Sequence, residues 1–172
     1  MRLPIELELI VADAGPFIGL AIAGRVEILH ALFEKVLIPR AVFEELQLDA
    51  SRPGSAALSQ SEEEGWLSTV EVPESTEIVK LTQLLDRGEA EAIVLAQSKN
   101  AKLLIDERKG RAAARRRGVT VIGTGGVLLL AKRLNVIHQV TPILDELDSQ
   151  GYRLSDGLRR ELLLLAGEET PG

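Results

Sequence analysis

Ile10-Val11-Ala12-Asp13-Ala14-Gly15-Pro16 is the stretch that decides the fold. An uninterrupted apolar run reads as a strand buried on both faces, as in a parallel sheet covered above and below. The strand extends from Leu7 to Ala12 and stops at Asp13. Asp13-Ala14-Gly15-Pro16 then turns the chain into a helix, because proline suits a first helical turn where its missing N–H costs nothing. The same pattern returns downstream. Val36-Leu37-Ile38 meets Pro39 and a helix to about Leu48. Lys102 to Ile105 ends at Asp106 and leads to a helix from Arg108 to Arg117, closed by Gly118. Val119 to Ile122 leads into Gly123-Thr124-Gly125-Gly126, read as a tight turn, and a helix from Val127 to Leu134.

The intervening segments complete the pattern. A short apolar helix runs to Ala23 and breaks at Gly24, and Val26 to Phe33 reads as a second helix. Ser51 to Gly65 is polar and reads as a surface loop with room for a helix. Leu67 to Val72 alternates like an edge strand. Glu77 to Leu85 is helical and stops near Gly88, and Glu89 to Ser98 forms the next helix. The tail holds two more helices, one opened by Thr141-Pro142 and ended by Gly151, one capped by Ser155 and running to about Ala166. Strands separated by helices require crossover connections. The expected fold is therefore α/β, with a small, mostly parallel central sheet between two helical layers. Residues 1–137 form the expected domain, and 138–172 a helical extension packed on it.

Composition bounds the function. A chain of 172 residues is the size of one domain, and 45% apolar with 27% charged residues is the balance of a folded one. Aromatics are 3%, so Leu, Ile, Val and Ala must build the core. A net charge of −6 excludes a general nucleic-acid coat or a membrane-surface binder, which need excess positive charge. Cysteine is absent, which excludes disulfides, thiolate zinc sites, iron–sulfur clusters and a cysteine nucleophile. Glu6 and Glu8 interrupt any signal core, and the run Val127 to Ala131 is far short of the roughly 20 apolar residues of a membrane span. The expected location is the cytoplasm, with no membrane partner.

Ligands of parallel sheets bind beyond the C-terminal strand ends, which directs attention to Asp13, Asp106 and the turn at Gly123. If their strands are neighbours, roughly 5 Å apart, two carboxylates meet at one rim. Each Asp taken alone is an ordinary helix cap. Together they repel and raise one another's pKa, a conflict that Mg²⁺ or Mn²⁺ would remove. Glu45 lies beside the apolar stripe of Val42 and Leu46, whereas Glu44 points away, so Glu45 is the better candidate ligand. Glu89 and Glu91 open a helix that is apolar nearly all round, where acidic residues also suit the helix dipole. Periodicity does not choose between them.

Lys102, Arg108, Lys109, Arg111, Arg115, Arg116 and Arg117 directly surround or follow Asp106. Arginine forks match phosphate oxygens. A carboxylate–metal pocket flanked by arginines suits phosphodiester hydrolysis, the metal activating water and the cations holding the backbone. Arg108, Lys109 and Arg111 are the candidate clamps, and Thr124 can hydrogen-bond a phosphate or a water. A solvated basic helix face explains the same cluster without chemistry.

These residues resemble PIN-domain nucleases. The resemblance lies in the segments at Ile10–Pro16, Val36–Leu46, Asp86–Ala96, Leu104–Arg111 and Val121–Gly126, in that order. The tail, with Gly151-Tyr152-Arg153-Leu154-Ser155, is similar to a prokaryotic PIN subgroup often found in toxin–antitoxin operons. The resemblance implies a three-layer α/β/α PIN-like fold and a Mg²⁺- or Mn²⁺-dependent endoribonuclease. It implies that Asp13, Glu45, Glu91 and Asp106 hold the metal, with Glu89 a substitute for Glu91. The implied partners are an RNA substrate, a protein antitoxin and a second copy of the chain. Ser or Thr follows the first aspartate in many relatives. Here Ala14 and Gly15 do, and Thr124 is the residue expected to supply that hydrogen bond instead. Two other functions share these features: a non-catalytic RNA- or protein-binding module on the same fold, and another acidic-pocket phosphoryl-transfer enzyme.

Overall fold

Burial along β1 (Leu9–Ala12) sets the layers. Ile10 and Ala12 enter one core and Val11 the other, and all three are fully buried. The computed structural model describes residues 9–48, 51 and 53–168. The chain runs β1, α1 (Ala14–Ile22), α2 (Glu27–Leu32), β2 (Lys35–Pro39), α3 (Arg40–Gln47), α4 (Pro53–Glu63), β3 (Leu67–Val70), α5 (Thr76–Leu81), α6 (Arg87–Lys99), β4 (Lys102–Leu104), α7 (Arg108–Arg116), β5 (Val121–Ile122), α8 (Thr124–Arg133), α9 (Thr141–Ser149) and α10 (Asp156–Ala166). The expected start of β1 at Leu7 lies outside the described residues.

The five strands are all parallel, in the order β3-β2-β1-β4-β5. On one face Ile10, Val36, Ile38 and Leu104 pack with Phe17, Leu29 and Leu128. On the other, Val11, Leu37 and Leu103 pack with Ile78, Ile93 and Ala114 from α5, α6 and α7. Burial on both faces accounts for the unbroken apolar strands. Helices α9 and α10 add Ile143, Leu144, Leu147 and Leu162 to the first core. Among the described residues no helix is long and apolar enough to cross a membrane.

The strand order reverses at β1. The chain passes from β1 to β2 and β3 on one side, then returns to β4 on the other. The crevice at such a reversal, above the C-terminal strand ends, is where open α/β sheets bind ligands. Ala12 is in register with Leu104, and the Asp13 N–H donates to the Leu104 carbonyl at 2.9 Å. Asp13 and Asp106 therefore leave the sheet on the same rim.

Three local readings change. Much of the polar stretch at 51–65 is the helix α4, held by fully buried Leu58. Gly88 does not interrupt a helix but lies inside α6. Asp86 starts that helix through a capping box, accepting from Glu89 N–H at 2.8 Å while its own N–H donates to the Glu89 carboxylate at 3.2 Å. The glycines after Gly123 are the first turn of α8 rather than a tight turn. A Cβ at Gly125 would stand 2.7 Å from the Leu162 methyls, so glycine there lets α10 pack close.

Candidate functional site

Asp13 follows β1 as the first residue beyond the sheet. Its backbone occupies the N-cap position of α1, but its side chain makes no capping hydrogen bond. The side chain is left at the rim, 7% exposed. Burial pushes its pKa from 3.8 to about 7. The Ala14 backbone amide opposes this, while the charges of Glu89, Asp86 and Glu45 reinforce it.

Those three acids come from two helices packed over the rim. Glu45 stands near the end of α3, and Asp86 and Glu89 open α6. Gly88 marks where they meet. A Cβ there would lie 3.2 Å from Val42 Cγ2, 3.3 Å from Glu45 Oε2 and 3.4 Å from Asp86 Oδ1. Glycine thus lets α3 and α6 approach until their carboxylates flank one backbone position. Burial also raises Glu89, and the Asp86 charge adds to it. Glu45 is raised by the same two causes.

Glu91 is engaged with other partners. Its two oxygens accept from Arg87 Nε at 2.9 Å and from the Ala41 N–H at 3.0 Å. It thereby satisfies an otherwise unpaired donor in the first turn of α3 and neutralises an arginine. Of the two glutamates, Glu89 acts on Asp13 and Glu91 ties α6 to α3.

Asp106, after β4, is held from three sides. Oδ1 accepts from the Thr124 N–H at 2.8 Å, and Oδ2 from the Thr124 hydroxyl at 2.6 Å and from the Tyr152 hydroxyl. Thr124, expected at a phosphate or a water, is fully buried and gives both donors to Asp106. The neighbouring Gly123 leaves space for Asp106 and Arg111. A Cβ there would lie 2.9 Å from Asp106 Oδ1 and 2.9 Å from Arg111 Nη1. Arg111 also donates to the Ile105 carbonyl at 2.9 Å. Burial raises the Tyr152 hydroxyl pKa, with the Asp106 charge adding to it, so the phenol stays a donor.

The basic cluster divides. Arg111 reaches the rim, and Arg108 is exposed on the first turn of α7. Lys109, Arg116 and Arg117 rim an apolar cavity of about 570 Å³ against Leu81, Leu84 and Leu85.

Two residues of the site went unassigned in the sequence. Asp86 has a signal, the Asp-x-x-Glu pattern of a capping box ahead of an apolar run. Tyr152 is the one tyrosine in the chain and follows a glycine, but nothing local connects it to Asp106.

Among the described residues no three acidic or histidine side chains stand close enough to enclose a metal ion by themselves. The donor chemistry still suits a hard divalent cation. All the donors are carboxylate oxygens, and Mg²⁺ keeps several waters and needs only one or two carboxylates. A cation beside Asp13 would also offset the burial, and the neighbouring charges, that raise its pKa.

A family model described as PIN domain matches residues 9–168. Among solved structures, a PilT N-terminus domain protein from the hyperthermophilic archaeon Sulfolobus solfataricus P2 is similar at 17% identity and a TM-score of 0.44. The match covers 86% of this chain and 97% of that one. No curated protein matches the chain.

Proposed function

The chain belongs to the PIN-domain family, and on that premise we propose that it is a Mg²⁺- or Mn²⁺-dependent endoribonuclease. PIN domains are generally nucleases, so the chain is a PIN nuclease-type module. The finer reading rests on one observation: a buried Asp13 pushed to about 7, with Glu89, Asp86 and Glu45 around it at the reversal of strand order. Several carboxyl groups around one buried position at the strand rim suit a cation site. Asp13, Glu45, Glu89 and Asp106 would hold the ion, and Glu91 would serve the packing of α3 on α6.

A divalent cation supplies a more acidic attacking water and neutralises charge on the phosphate. The protein's own residues do the rest. Asp13 would meet the cation as a carboxylate, from the rim at the end of β1. Thr124 holds the Asp106 carboxylate from its backbone N–H and its hydroxyl. Arg111 presents a guanidinium beside that carboxylate, suited to a phosphate oxygen. Arg108, exposed on the first turn of α7, extends that grip along an RNA backbone, while Lys109 faces the apolar cavity.

The test is cleavage of structured RNAs with Mn²⁺ by the wild type and by Asp13→Asn. The expected result is metal-dependent cleavage that falls at least about 100-fold in the variant, since even outer partners of metal ligands are worth about 10–100-fold. Equal cleavage by both proteins would overturn the assignment, and RNA binding without cleavage would favour a binding module. A toxin role follows from the same reading, with an antitoxin covering the acidic mouth with a basic side chain. It predicts growth arrest on induction of the wild type and none with Asp13→Asn.

A further inference from the structure

Asp106 spends most of its acceptor capacity inside the protein. A carboxylate offers about four acceptor positions on its two oxygens. Oδ2 uses both of its positions, on the hydroxyls of Thr124 and Tyr152, and Oδ1 uses one on the Thr124 N–H. Among the described residues nothing fills the fourth position, on Oδ1.

The last donor comes from far away. Tyr152 lies 46 residues beyond Asp106, in the turn between α9 and α10. Gly151, at φ +86°, makes that turn, and the Tyr152 N–H closes it on the Leu147 carbonyl at 2.9 Å. Helix α1 meets the ring from another side. A Cβ at Gly19 would lie 3.0 Å from the ring carbon Cζ and 3.1 Å from Cε2, so only glycine leaves the ring its present place. A helix near the start of the chain and a turn near its end therefore seat one phenol against a rim carboxylate.

We propose that Tyr152 is a positioning residue of the acidic site, through which the C-terminal helices orient Asp106 and leave Oδ1 as its open acceptor. Its consequence for cleavage rests on the nuclease reading above, but its effect on cation affinity can be read separately. The tail is then part of the site, because the turn it forms adds a third hydrogen bond to an acid that Thr124 holds by two, and fills the second acceptor position of Oδ2.

The experiment compares wild type, Tyr152→Phe and Gly19→Ala. The first variant removes the hydroxyl and keeps the ring. The second keeps the hydroxyl and displaces the ring, in a helix where alanine is otherwise favourable. Mn²⁺ affinity is read by electron paramagnetic resonance of free Mn²⁺, together with kcat, KM for RNA and the melting temperature. The expected result for Tyr152→Phe is a near-wild-type melting temperature and a Mn²⁺ dissociation constant about 10–100-fold higher, the range for partners of metal ligands. At subsaturating Mn²⁺ its kcat falls while KM for RNA is unchanged. Gly19→Ala moves affinity in the same direction by a smaller factor, and it decides the question if the phenylalanine variant does not fold. Unchanged Mn²⁺ affinity in a folded variant overturns the proposal, whatever the melting temperature does. A wild type that binds Mn²⁺ but cleaves no RNA overturns the nuclease reading and leaves Tyr152 decided by affinity. A wild type that binds no Mn²⁺ overturns both.

Discussion

Replacing Asp13 by asparagine removes a charge that folding buries, so the variant should be more stable than the wild type. The folded protein holds the Asp13 proton up to about pH 7, whereas an unfolded chain releases it near 3.8. Between those values the native state binds more protons, so stability falls as pH rises. Below the lower value the penalty is absent, and above pH 7 it is complete. The interval from 3.8 to about 7, at 1.36 kcal/mol per pH unit, gives a penalty of about 4 kcal/mol at pH 8. Asparagine escapes it but must find partners for its own N–H groups, so the expected net gain is about 2–4 kcal/mol. For a chain of this length that raises Tm by roughly 6–12 °C. The assay is thermal unfolding by circular dichroism with chelator present. At pH 4.5 the gap should shrink by about 3 kcal/mol, to near zero, since most of the penalty develops above that pH. Adding Mn²⁺ at 100 times its dissociation constant should return about 2.7 kcal/mol to the wild type and little to the variant. An asparagine variant that melts at or below the wild type at pH 8, or a gap that ignores pH, would refute the reasoning.

Glu89 and Glu91 should separate by phenotype. Glu89→Gln is expected to lose RNA cleavage and keep its melting temperature, while Glu91→Gln keeps cleavage and loses about 1–2 kcal/mol, measured by urea unfolding, from its bonds to Arg87 and the Ala41 N–H. Glu168 anchors the end of the tail. Burial opposes its charge, but Lys132, the backbone amides of Val140 and Thr141, and the Thr141 hydroxyl outweigh it and hold the pKa at about 2. Because that pKa is depressed, the stabilisation is present above pH 4.5 and is lost as pH falls toward 2. Glu168→Gln should cost about 2 kcal/mol at pH 7 and nothing near pH 2, read from urea melts at the two pH values.

The layers and the rim were legible because they depend on local pattern. Apolar runs ending in Asp13 and Asp106 announce parallel strands, and their shared edge follows from the sheet. The choice between Glu89 and Glu91 was not legible, because α6 buries Ala90, Ala92, Ile93, Leu95 and Ala96 around its circumference. The contact that distinguishes Glu91 is made at the start of α3, 50 residues away, where the Ala41 N–H donates to it. Gly88 and Gly125 read as breakers from local preference, but close helix packing overrides that preference at both. Tyr152 meets Asp106 only through the turn after α9, a contact that no local pattern carries.

The central claim is that Asp13, Glu45, Glu89 and Asp106 share a cation. A crystal soaked in Mn²⁺ and measured for anomalous scattering tests it directly. The account predicts a peak within coordination distance of Asp13 and at least one of the other three, with waters completing the shell. No peak among them, or a peak on Glu91, would contradict it.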